Sequence, residues 1–212
     1  MITRRVALLL AFLPAAAGAQ VRPSASGGVF LTTRLISFDS VVYQQTGMLA
    51  GGAASARLSR FTLEVAGVFG TMSGDSTTEE QVRSTSLRLL VGLAPWLDVG
   101  AALEGRVFTS DVATASWRLM GVTVRATPPL GGSGLQGLVE VAMYPSTAVG
   151  AGSTIKTALQ AMVGARLVTR GPFAAQVGYR FERYDFEAAA ANAARLEQFS
   201  GVVASIGLRF GR

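Results

Sequence analysis

Phe173-Ala-Ala-Gln-Val-Gly-Tyr-Arg-Phe-Glu-Arg-Tyr184 is the stretch on which the fold turns. Read alternately, it has two faces: Phe173, Ala175, Val177, Tyr179 and Phe181 are apolar, while Ala174, Gln176, Gly178, Arg180, Glu182 and Tyr184 are small or polar. A period of two belongs to an extended strand, whose side chains point to opposite faces in turn. Ile155–Leu167 repeats the scheme, with Ile155, Thr157, Leu159, Ala161, Val163, Ala165 and Leu167 set against Lys156, Ala158, Gln160, Met162, Gly164 and Arg166. Leu97–Phe108 does so again, with Leu97, Val99, Ala101, Leu103 and Val107 against Asp98, Gly100, Ala102, Glu104 and Arg106.

Such segments recur about ten times, near 29–40, 44–57, 60–72, 82–94, 97–110, 115–127, 135–145, 155–169, 172–187 and 198–210. Each is long enough to cross a bilayer when tilted, and an even count returns the chain to its starting side. The first pair is the least regular. Val41-Val42 makes a poor turn and Gly51-Gly52 a poor strand centre, so eight strands with a loose N-terminal segment are the alternative. Links at Leu58-Ser59-Arg60, Ala94-Pro95-Trp96, Arg170-Gly171-Pro172 and Pro128–Gly134 read as short turns. Those at Ser73–Gln81, Ser146–Thr154 and Ala188–Glu197 read as longer loops at the opposite end. The pattern predicts an all-β, antiparallel, up-and-down barrel of ten strands.

Composition says which face is outside. Half of the 212 residues are hydrophobic, 15% are charged and mean hydropathy is +0.40, where soluble domains carry roughly a quarter charged residues. No run reaches the about 18 apolar residues of a membrane helix. Alternation reconciles these facts if half of every strand faces lipid. The polar face agrees, being rich in Gly, Ala and Ser, with Lys156 the single lysine; a soluble barrel covers its exterior with Lys, Glu, Thr and Asp. Phe61, Trp96, Phe173 and Phe210 adjoin the short turns, as an interfacial girdle would. At the start, Arg4-Arg5, the apolar run Val6–Leu13 and Ala17-Gly18-Ala19 follow the order of a secretory leader. Residues 1–19 are therefore expected to be removed, leaving 20–212 as one barrel domain. The leader holds two of the nineteen cations, so the formal +6 falls to +4, and nucleic acid is not an expected partner of an exported chain.

Ser205-Ile206-Gly207-Leu208-Arg209-Phe210 ends a strand whose Val202, Ala204, Ile206, Leu208 and Phe210 share one face. It resembles the terminal-strand signal of bacterial outer-membrane barrels: a polar residue, a glycine two on, and an aromatic three further. Such proteins typically finish on the aromatic, whereas Gly211-Arg212 follow Phe210 here. In length and loop economy the chain is most similar to the small barrels related to the OmpA type. The resemblance implies insertion in outer-membrane lipid and recognition of Gly207 and Phe210 by the barrel-assembly machinery.

With lipid outside, parity assigns Arg34, Glu64, Arg88, Glu104, Arg106, Arg125, Glu140, Arg166, Arg180, Glu182 and Arg209 to the lumen, seven arginines against four glutamates. Arg22, Arg57, Arg60, Arg170 and Arg212 with Asp98 fall at the short-turn end. Asp39, Asp75, Glu79, Glu80, Asp111, Asp185, Glu187 and Glu197 outnumber Arg83, Arg118, Lys156, Arg183 and Arg195 at the long-loop end. Confined charges are costly unless paired, so a network of Arg–Glu pairs filling the lumen is expected. The excess of three arginines leaves a narrow anion-leaning pore as the sharper reading, with small anions as its cargo.

Catalysis is not expected. Histidine and cysteine are absent, which removes the usual general base, thiolate chemistry and the histidine on which known enzymes of this architecture rely. Ser153-Thr154-Ile155-Lys156 matches S-x-x-K but opens a strand rather than a helix, with no K-T-G partner. Asp75, Glu79 and Glu80 lack the spacing of an EF-hand, and no metal or cofactor is expected. Adhesion through the external loops is the alternative function, although the loops are short and Ala188–Glu197 is mostly alanine.

Overall fold

The computed structural model describes residues 21–38, 41–74, 77–111, 113–131, 134–148, 154–188 and 194–210. They form β1 (Val21–Phe38), β2 (Val41–Leu58), β3 (Phe61–Gly74), β4 (Thr77–Ala94), β5 (Leu97–Thr109), β6 (Thr114–Ala126), β7 (Leu135–Ala148), β8 (Thr154–Val168), β9 (Phe173–Phe186) and β10 (Arg195–Arg209). Each strand pairs antiparallel with its sequence neighbours, and β1 closes on β10. The leader expected over residues 1–19 lies outside the described residues.

Ten strands displace the eight-stranded alternative. Gly51 and Gly52 lie inside β2, opposite Gly28 and Gly27 on β1. A Cβ on Gly51 would collide with the Gly67 carbonyl oxygen of β3, so the close approach of β2 and β3 requires the glycine that propensity disfavours. The strands also run further than alternation suggested: Thr77–Gln81 and Arg195–Glu197, expected in loops, are ladder. Two residues separate β1 from β2 and β3 from β4, while eight separate β6 from β7 at the other end. Connection length therefore does not distinguish the two ends, and the short-turn end is the one that carries Val21 and Arg209. Polar segments continue the ladder because strand pairing satisfies their backbone groups as water would.

Following the registers from Pro23 once round the sheet arrives at Leu35, twelve residues further along β1. For ten strands that stagger corresponds to a tilt of roughly 40°. Large apolar side chains point outward along the barrel, among them Ile206 at 75% exposure and Met120 at 69%. Phe61, Trp96, Phe173 and Phe210 are exposed beside the short-turn end. Two neighbouring residues depart from the parity assigned to them. A bulge between Ile155 and Thr157 turns Ile155 into the lumen, where it is wholly buried, and leaves Lys156 and Thr157 both exposed.

Candidate functional site

The lumen is filled in layers. Nearest the short turns, Glu64 on β3 and Arg88 on β4 are cross-strand partners, as are Arg125 on β6 and Glu140 on β7. The two pairs meet across the barrel in a closed ring of alternating sign: Arg88 Nη1 lies 3.0 Å from Glu64 Oε1 and 2.7 Å from Glu140 Oε1, while Arg125 lies 2.9 Å from Glu64 and 2.6 Å from Glu140. Each carboxylate thus holds two guanidinium groups, the arrangement that compensates ion desolvation best.

The middle layer is a chain. Arg106 binds Glu104 at 2.9 Å and Glu182 at 2.6 Å, and Arg180 Nε reaches the other oxygen of Glu182 at 2.6 Å. Neutral donors complete it: Tyr184 Oη donates to Glu182 at 2.8 Å, and Gln160 Nε2 donates to Glu104 and to the Tyr184 hydroxyl. Tyr144 Oη sits 3.4 Å from Glu104. Glu182, Tyr144 and Tyr184 have no exposed surface and Glu104 only 3%.

Above this lies an aromatic layer of Phe108, Trp117, Tyr184, Phe186 and Phe199, with ring centroids 4.9–5.9 Å apart. Three cations flank it, Arg195 standing 4.0 Å from the Phe186 centroid. The Arg34 guanidinium stands 4.2 Å from the Phe108 centroid, and that of Arg106 stands 4.9 Å from Phe199. Nothing in the charge inventory announced this layer, yet parity was sufficient to find it: Phe108 is two residues from Arg106, and Tyr184 two from Glu182.

The uppermost layer corrects the charge partition. Glu80, Glu197 and Arg195, assigned to the external rim, point inward: Arg34 bridges Glu80 and Glu197, the latter at 2.7 Å, and Arg195 binds Glu197 at 2.9 Å. Gln45 Oε1 accepts from Arg34 at 3.0 Å. All three ionic layers thus hold two arginines and two glutamates, and the seven-to-four excess disappears from them. The surplus sits at the short-turn end in Arg166 and Arg209, and Arg209 Nη2 donates to the Thr169 carbonyl at 2.8 Å, closing the turn between β8 and β9.

At the terminal strand, Gly207 pairs with Ser26 and Ala174, and the Phe210 amide donates to the Pro23 carbonyl at 2.8 Å while its ring faces outward. Ser153 and Asp75 lie outside the described residues. Among the described residues no group of three metal-ligating side chains occurs.

A closed antiparallel sheet with a polar, packed lumen and an apolar exterior defines the class: a membrane-spanning β-barrel of the outer-membrane type. No protein-family model matches the chain, and no curated protein matches it. Among solved structures it is similar to Ail, the attachment invasion locus protein of Yersinia pestis, at 9% identity and TM-score 0.39, over 90% of this chain and 99% of that one. It is similar to Neisserial surface protein A at 16% identity and TM-score 0.40, over 91% and 99%. It is also similar to the translocator domain of the autotransporter NalP from Neisseria meningitidis, at 9% identity and TM-score 0.45, over 98% and 94%.

Proposed function

We propose that this chain is a sealed, non-enzymatic barrel of the bacterial outer membrane, exported by its leader and serving as a structural element of that membrane. The observation that carries the reading is the middle layer, where Glu104, Arg106, Gln160, Glu182, Tyr144 and Tyr184 are all buried. A water path wide enough for a hydrated ion would leave surface on those groups. The neutral pairing of every ionic layer also leaves the positive surplus only at the short-turn end, in Arg166 and Arg209, and not at the constriction where an anion-leaning pore would use it. Barrels of about this strand number hold little beyond their own side chains. Outer-membrane lipid is the surrounding partner, and the assembly machinery reads Gly207 and Phe210.

Planar-bilayer recording of the purified protein tests this. Absence of single-channel steps is the expected result. Discrete steps with anion-over-cation reversal potentials would instead establish the narrow pore.

A further inference from the structure

Four cations face away from the lumen at one level. Arg83, Arg118, Lys156 and Arg183 are exposed, and each is the chain neighbour of a residue in one buried apolar cluster: Val82, Trp117, Ile155 and Tyr184. They therefore flank that layer from outside, on β4, β6, β8 and β9. On β6 and β9 this level is also where the apolar exterior ends. From Arg118 towards the short turns the outward residues are Met120, Val122 and Val124, all exposed, and in the other direction Ser116 and Thr114. From Arg183 they are Phe181, Tyr179 and Val177 on one side and Asp185, its 3.1 Å partner, on the other. At the same level β1 and β3 present Thr33 and Thr71, so the basic belt occupies one side of the barrel.

We infer that this belt binds the phosphate groups of a lipid in the outer leaflet. A cation at the edge of the hydrocarbon zone costs little and meets headgroup phosphates directly. Arg83 and Arg118 stand two strands apart, as do Arg118 and Lys156, an interval of about 10 Å. A headgroup carrying two phosphates bridges that interval. Beside Arg83 the wall is also indented, by a depression of about 540 Å³ to which Gly52, Gly67, Phe69 and Thr85 contribute, giving an acyl chain a seat next to the charge. The inference rests on the proposed function for its outer-membrane setting, with the end that carries Val21 and Arg209 facing inward, but it holds whether or not the lumen conducts.

The test is native mass spectrometry of the detergent-solubilised protein titrated with diphosphoryl lipid A. Wild type retains the lipid, and the triple variant Arg83→Gln/Arg118→Gln/Lys156→Gln loses affinity on the order of 100-fold. A short-turn control, Arg60→Gln/Arg170→Gln, keeps wild-type affinity. Heat-dependent gel mobility verifies that each variant is folded, and Arg83→Gln/Lys156→Gln replaces the triple variant if that one is not. Phosphatidylcholine and inositol hexaphosphate are the competing ligands. Retention of lipid A by the folded belt variant, or equal loss in the short-turn control, overturns the inference. Inositol hexaphosphate displacing lipid A would assign the site to soluble phosphates and overturn the lipid as its source. Loss confined to the belt variant, with neither competitor effective, establishes it.

Discussion

Arg125 and Glu64 meet fork to fork across the lumen, Nη1 and Nη2 each donating to one carboxylate oxygen at 2.9 Å, although β4 and β5 lie between their strands. Because Arg88 and Glu140 complete the ring, the four charges act as one unit. Glu64→Ala, which leaves two guanidinium groups with one carboxylate, is expected to cost about 3–5 kcal/mol. Glu64→Met/Arg125→Met keeps the Arg88–Glu140 pair and neutrality, and should cost much less than the two single substitutions together. Urea unfolding followed by tryptophan fluorescence measures both, and additive effects would refute the ring as a unit.

If the middle layer closes the lumen, removing it in a charge-neutral way should open it. Arg106→Ala/Glu182→Ala/Tyr184→Ala deletes three large side chains without changing net charge at neutral pH. Single-channel steps are expected in planar bilayers where the parent protein gives none. A folded triple variant that stays silent would place the seal in another layer.

Gly100 and Gly67 sit on opposite faces and in different surroundings. A Cβ on inward Gly100 would strike the Leu89 carbonyl oxygen, whereas one on outward Gly67 finds its nearest neighbour 3.7 Å away. Gly100→Ala should lower the folded fraction in heat-dependent gel mobility, while Gly67→Ala leaves it unchanged. Equal behaviour of the two would mean that strand approach is not what selects glycine in the lumen.

The two tryptophans should report separately. Trp117 is 2% exposed within the aromatic layer, and Trp96 is 46% exposed at the turn before β5. With Trp96→Phe, the remaining emission is expected to resist acrylamide; with Trp117→Phe, it should be quenched readily from the aqueous side. Strong quenching of Trp117 would show water in the upper lumen.

Alternation makes the barrel legible, and it places Glu64, Arg88, Glu104, Arg106, Arg125, Glu140, Arg180 and Glu182 on one face without reference to any contact. Parity alone cannot say which strands end where. Glu80 and Glu197 read as loop residues because polar stretches resemble loops, while the backbone of those stretches was free to keep pairing beyond the lipid. Ile155 and Lys156 lie on the faces opposite to those alternation gives them, because one extra residue in a bulge reverses every assignment on its far side. Nor does a one-dimensional pattern reveal who meets whom across an enclosed space: Arg125 and Glu64 are 61 residues apart, and only the curvature of the closed sheet brings them together.

Ladder hydrogen bonds fasten each strand to its two neighbours and to nothing else, so a sheet rolled into a tube can flatten by small rotations at every seam. The contact of Arg125 with Glu64 skips two strands, and Gln160 on β8 reaches Glu104 on β5. These links work like spokes in a wheel. They resist ovalisation under the lateral pressure of the bilayer, so the charges spent in the interior hold the cross-section round.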